Sequence, residues 1–168
     1  MTRRIEASSA YVRLTLQSGI APATALLAGS SLTEASLANA EFVDANDLAI
    51  VLRNYNSLVE DRSWTARLGS QLNIAARGPL GFAALSAPTL GDALEVMATM
   101  YPSRNTAIAA TLIATDTHLR LEAVDALGEP DVACWLMEIV MKIVELLLFS
   151  VLGHPVGHNV EIRFAHAK

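Results

Sequence analysis

The stretch that most limits the possible folds is VACWLMEIVMKIVELLLFSVL, residues 132–152. It is long enough to cross a bilayer, but Glu138, Lys142 and Glu145 interrupt it. Three ionisable groups near the middle of a hydrocarbon layer are costly, so the segment predicts a helix buried in protein and no membrane span. The helix is expected from about Asp131 to Leu152, closed by Gly153. Asp131, Glu138, Lys142 and Glu145 share one stripe, and Glu138 and Lys142 stand four residues apart as a favourable pair. Most of the remaining circumference is apolar. Such a helix must be covered on more than one side: by a sheet, by other helices or by a second copy of itself.

The rest of the chain has the means to cover it. Its 168 residues are 52% apolar and 17% charged, enough for one domain with a core that needs neither disulfide nor metal. The net charge of −5 argues against a phosphate-binding surface. Two short predicted helices around Gly29-Ser30-Ser31 resemble a helix-turn-helix, yet Ala21 to Asp47 contains no Lys or Arg to hold DNA. Cys134 is the only cysteine, which excludes a disulfide framework and fits a reducing cytoplasm. The opening MTRRIEASSAYVRL lacks the apolar run of a signal peptide.

The first half is punctuated as short helices. Ser8 or Ser9 can cap one that ends near Gly19, Pro22 and Thr33 open two more, and Asp44 caps a longer one. On that helix Leu48, Val51, Leu52, Tyr55 and Leu58 fall on one face. Ser63 to Leu68 makes another turn. Pro79 starts a helix over Leu80–Leu85, and Thr89 with Asp92 has the spacing of a capping box before Leu90, Ala93, Leu94 and Met97. Pro102 ends that helix.

The period then changes to two. TAIAATLIAT (106–115) and HLRLEAV (118–124) predict a hairpin with Leu119, Leu121 and Ala123 inward and His118, Arg120 and Glu122 outward. After the long helix, NVEIRFA (159–165) alternates again and predicts a third strand, brought beside an earlier one by a right-handed crossover. The expected fold class is α+β: a helical N-terminal half, then a small sheet of at least three strands packed with one long helix.

Few residues carry chemistry. His154 and His158 lie in HPVGH, where Pro155 and Gly157 predict a loop without a shared helical face, so no metal site is expected. Cys134 falls in the buried helix and reads as packing. No GxSxG elbow, SxxK pair, GxGxxG or phosphate loop is present, and neither catalysis nor a cofactor is expected.

A family likeness appears in RLGSQLNIAARGPLGFAALSAPTLGDALEVM, residues 67–97. Leu68-Gly69, Gly78 to Gly81 with Ala83-Ala84, and Thr89-Leu90 with Ala93-Leu94 resemble the N-terminal, arabinose-binding-like sensor domain of bacterial AraC/XylS-type transcription regulators. Gly19, Leu26 to Gly29 and VEIRFAH at 160–166 extend the likeness over nearly the whole chain. Where members commonly carry a histidine before the glycine-leucine-glycine turn, this chain has Arg77. The resemblance implies a single regulatory domain, residues 1–168, that senses an effector and controls a C-terminal pair of helix-turn-helix units lying outside these residues. It does not imply a sugar ligand or a jelly roll, which the helical first half argues against.

A mostly apolar pocket with sparse polar anchors suits so oily a chain. Candidate ligand contacts are Arg77, Tyr101, Arg104, His118 and Trp135. The expected partners are a small-molecule effector and a second copy of the chain, paired through the long helix with Leu136 and Ile143 at the interface. DNA is expected to be reached only through the attached domain. A stand-alone dimerisation module and, more remotely, a small enzyme are the competing readings.

Overall fold

A computed structural model of the chain describes residues 5–72, 79–103, 105–155, 157 and 160–165. The first elements are β1 (Glu6–Ser8), α1 (Ala10–Gln17), α2 (Ala23–Leu26), α3 (Glu34–Asn39), β2 (Phe42–Asp44), α4 (Ala45–Leu58) and α5 (Trp64–Gln71). They are followed by α6 (Pro79–Leu85), α7 (Leu90–Met100), β3 (Ile108–Ala114), β4 (Leu119–Asp125) and α8 (Pro130–Leu152).

Local chemistry explains most boundaries. The Thr33 hydroxyl accepts from the Ser36 amide at 3.0 Å while Ser36 returns the favour to the Thr33 amide, a reciprocal cap for α3. Asp44 accepts from the Asn46 amide and starts α4. Thr89 accepts from the Asp92 amide at 3.1 Å and starts α7, and α7 tightens into a 3-10 turn at Tyr101–Ser103 around Pro102. Gly153 closes α8 at φ +73°, a left-handed conformation that costs glycine little. Leu48, Val51, Leu52 and Tyr55 of α4 are buried as their spacing predicts, but Leu58, in the last turn, is 44% exposed.

The long helix is the spine. Val132, Leu136, Ile139, Val140, Ile143, Leu147 and Leu148 of α8 are buried in one continuous core with α1, α4, α5, α6 and α7. Its closest neighbour is α5. A Cβ built on Gly69 would stand 2.8 Å from both the Ile139 carbonyl oxygen and the Lys142 Cβ, so the two backbones meet only because that residue is glycine. Thr65 donates to Glu138 across the same seam at 2.6 Å, and Lys142 pairs with Glu145 at 2.8 Å.

Two small antiparallel sheets flank this body. β1 pairs with β2 in the register Glu6↔Asp44, Ala7↔Val43, Ser8↔Phe42. The other face of the same short strand meets the chain just before β3, through an Ala7↔Asn105 bridge and a Thr106 amide bonded to the Glu6 carbonyl at 2.8 Å. β3 and β4 form the expected hairpin, with Ala110↔Ala123 and Leu112↔Leu121 facing inward.

The architecture is therefore mixed helix and strand, but the expected sheet of three or more strands is not formed. Among the described residues there are two two-stranded sheets, and residues 160–165 join neither. An alternating pattern supplies faces but not a ladder partner. Here the Val160 amide turns back to the Gly157 carbonyl at 3.2 Å, while Glu161 and Arg163 pair with each other on one side of the segment.

Candidate functional site

The hairpin does not lie flat on the helices. Two alanines facing each other in register, Ala110 and Ala123, leave a gap between the inner face of the sheet, α7 and α8. The resulting cleft is small, about 20 Å³ and open to solvent on one side. Met97, Ala110, Leu121, Ala123 and Met141 line it, with the ring of Tyr101. Every lining side chain except Tyr101 is a hydrocarbon or a thioether.

Tyr101 is held by polar contacts on its far side. Its hydroxyl lies 2.9 Å from that of Tyr11 and receives the Asn105 side-chain amide at 3.3 Å. Asn105 in turn accepts from the Ala107 amide at 2.9 Å. The network is buried, so these hydroxyls are fixed in the core and Tyr101 offers the cleft no polar surface. Such a surface favours an apolar neighbour over a polar one. It has no base, acid or nucleophile to transform one.

The other sequence-predicted contacts do not converge on this place. Trp135 is half-buried and stacks edge-on against Trp64, ring centres 5.8 Å apart. Trp64 stacks likewise on Tyr55 and donates to Asn56, so this aromatic group joins α4, α5 and α8. His118 is exposed in the β3–β4 turn, where Thr115 and Thr117 hydroxyls flank its Nδ1 at 3.1 and 3.0 Å. Arg77 and Arg104 lie outside the described residues.

Leu136 and Ile143, expected at a dimer face, are wholly buried in the chain's own core and face no surface. The most exposed large apolar side chains of α8 are Phe149 and Leu152, at its C-terminal end. Cys134 is half-buried, and burial, then the nearby Glu138 charge, pushes its thiol pKa up. Among the described residues no three His, Cys, Asp or Glu side chains are grouped to hold a metal, and no helix is long and apolar enough to cross a membrane. The cleft itself was missed from sequence. Its signal was the pair of small residues at matching positions of two alternating strands, where large side chains would have filled the core.

The family model for the N-terminal arabinose-binding domain of AraC transcription regulators matches residues 19–168. The chain belongs to this family. No curated protein matches it. The arabinose-binding domain is a regulatory, ligand-binding unit and not an enzyme class. Several residues that carry the likeness have structural roles in this AraC domain: Gly69 admits α8, Thr89 caps α7, and Ala93 and Leu94 are buried on α7.

Proposed function

We propose that this chain is the effector-sensing domain of a cytoplasmic, bacterial AraC-type regulator, that its effector enters the cleft between the hairpin, α7 and α8, and that occupancy changes how an attached DNA-binding domain is held. Membership of the family carries the sensing role. The cleft's chemistry supports a narrower statement about the ligand: the part that enters is apolar and uncharged. A polyol such as arabinose would bring several hydroxyls, and the one hydroxyl nearby already serves Tyr11 and Asn105. Leaving sugar hydroxyls without partners against hydrocarbon would oppose binding. Differential affinity for two arrangements of the hairpin against α8 is sufficient for a switch.

Thermal denaturation against a panel of small metabolites tests this. A true effector at a hundred times its dissociation constant stabilises by about 2.7 kcal/mol, which for a domain of this size raises Tm by roughly 5–10 °C. Ala123→Leu, which fills the cleft, should abolish the rise while the chain stays folded. Saturable binding that survives Ala123→Leu would move the site elsewhere.

A second reading, a pairing module with no small-molecule ligand, is favoured by the exposed Phe149 and Leu152 at the end of α8. A panel without any hit, together with a concentration-dependent dimer lost on Phe149→Ser, would favour it over the first.

A further inference from the structure

β4 is an edge strand: β3 covers one side of it, and among the described residues no strand flanks the other. The Ala126 amide bonds to the Ala107 carbonyl across the hairpin. The alternation of an antiparallel ladder therefore turns the backbone groups of Leu119, Leu121 and Ala123 away from β3, toward the open edge. The outer face of β4 carries Arg120 and Glu122, paired at 3.1 Å and largely exposed. An open edge of this kind is a template for another strand.

Residues 160–165 have the complementary pattern. Glu161 and Arg163 pair at 2.8 Å on one side, while Ile162 (45% exposed) and Phe164 (37%) occupy alternate positions. The order of charges is the reverse of that on β4: Arg then Glu there, Glu then Arg here. Laid parallel, Arg120 faces Glu161 and Glu122 faces Arg163, with Leu121 beside Ile162 and Ala123 beside Phe164. Laid antiparallel in the same span, Arg120 would face Arg163 and Glu122 would face Glu161. Like charges directly opposite are destabilising, so the charges select the parallel register.

We infer that the β4 edge is a docking site for residues 160–165 of a second copy of this chain, exchanged reciprocally to give a two-fold dimer. Within one chain residues 160–165 join neither sheet, and among the described residues β4 stays open. Seven residues separate the exposed apolar end of α8, Phe149 and Leu152, from this segment. Docking places the partner's Ile162 beside Leu121 and the partner's Phe164 beside Ala123, both of which line the cleft. The cleft is thus completed by the other subunit. The inference stands on β4 and residues 160–165 alone, so it can fail while the effector reading holds, and the reverse.

Sedimentation of two charge-reversed chains and their mixture tests it. The first carries Arg120→Glu and Glu122→Arg, the second Glu161→Arg and Arg163→Glu. Wild type should dimerise, and each variant alone should pair at least tenfold more weakly. Mixing the two should restore dimers, because each reversed strand then meets its reversed complement and each native strand its native one. A monomeric wild type, a reversed chain that still pairs with itself, or a mixture that stays monomeric overturns the proposal. Hydrogen exchange of the wild-type chain gives an answer that needs no variant. The Leu121, Ala123 and Arg163 amides should become at least tenfold better protected as protein concentration rises through dimerisation. Protection independent of concentration would mean that the chain closes on itself, and would likewise overturn exchange.

Discussion

Gly69 and Ile139 meet backbone to backbone: a Cβ on the first would lie 2.8 Å from the carbonyl oxygen of the second. The contact sets the distance between α5 and α8, and everything packed on α8 inherits that distance. Gly69→Ala should therefore destabilise, although alanine is the better helix former. Overpacking of this kind costs about 1–3 kcal/mol, which lowers Tm by roughly 3–10 °C in a domain of this length. Denaturant titration checks it, and an unchanged or raised midpoint would mean that the helices part without cost.

Leu136 and Ile143 should behave as core residues and not as interface residues. Leu136→Ala removes a fully buried side chain and should cost about 2–5 kcal/mol, measured as a fall in the urea midpoint of a dilute sample. Phe149→Ser, at a position 48% exposed, should leave that dilute midpoint within about 0.5 kcal/mol of wild type. If the two changes had equal effects, the burial of α8 described above would be wrong.

The Tyr11–Tyr101 hydroxyl pair should show up in a double-mutant cycle. Tyr101→Phe strands the Tyr11 hydroxyl and the Asn105 side-chain amide in the core, at a cost of about 1–3 kcal/mol. Adding Tyr11→Phe removes one of the stranded groups, so the double variant should lose less than the sum of the single ones. Strict additivity would show that the hydroxyls act independently.

Acid should weaken the junction between α4 and α8. Arg53 bonds Asp131 at 2.8 Å and Glu129 at 2.8 Å, and this hydrogen bonding holds the Asp131 carboxyl down to about 2 from 3.8. A carboxyl whose pKa is lower folded than unfolded stabilises fully above the unfolded value and loses that contribution as the pH falls through the folded one. The loss should run from about pH 4 down to pH 2. Arg53 and Asp131 are each more than 40% exposed, so solvent screening limits the contribution to about 0.2–1 kcal/mol. Asp131→Asn should remove that part of the pH dependence of unfolding, and added salt should shrink it.

Much of the fold could be read in advance because its signals are local. Thr33, Asp44 and Thr89 cap helices by reaching two or three residues along the chain, and Gly153 closes α8 within one turn. The hairpin was legible from its alternation. What depended on distant partners was not. Residues 160–165 have the pattern of a strand, but a ladder needs a neighbour that the pattern does not name. Leu136 and Ile143 were assigned to a partner because the helix is oily nearly all round, and nothing in that periodicity says which side its own chain covers first. Of the candidate ligand contacts, Tyr101 lies on the cleft wall, whereas Trp135 joins an aromatic group that only the packing of α4, α5 and α8 creates. The seam at Gly69 was visible only as a motif until α8 was laid across it.

The strand at residues 6–8 is held from both flanks, by 42–44 on one and by 105–106 on the other, and the family match begins only at residue 19. A fragment trimmed to the matched region would therefore discard Ala7, Tyr11 and Val12, all wholly or almost wholly buried. It would lose the stitch that ties the helical half to the hairpin, and anyone expressing the minimal region should expect an insoluble or molten product.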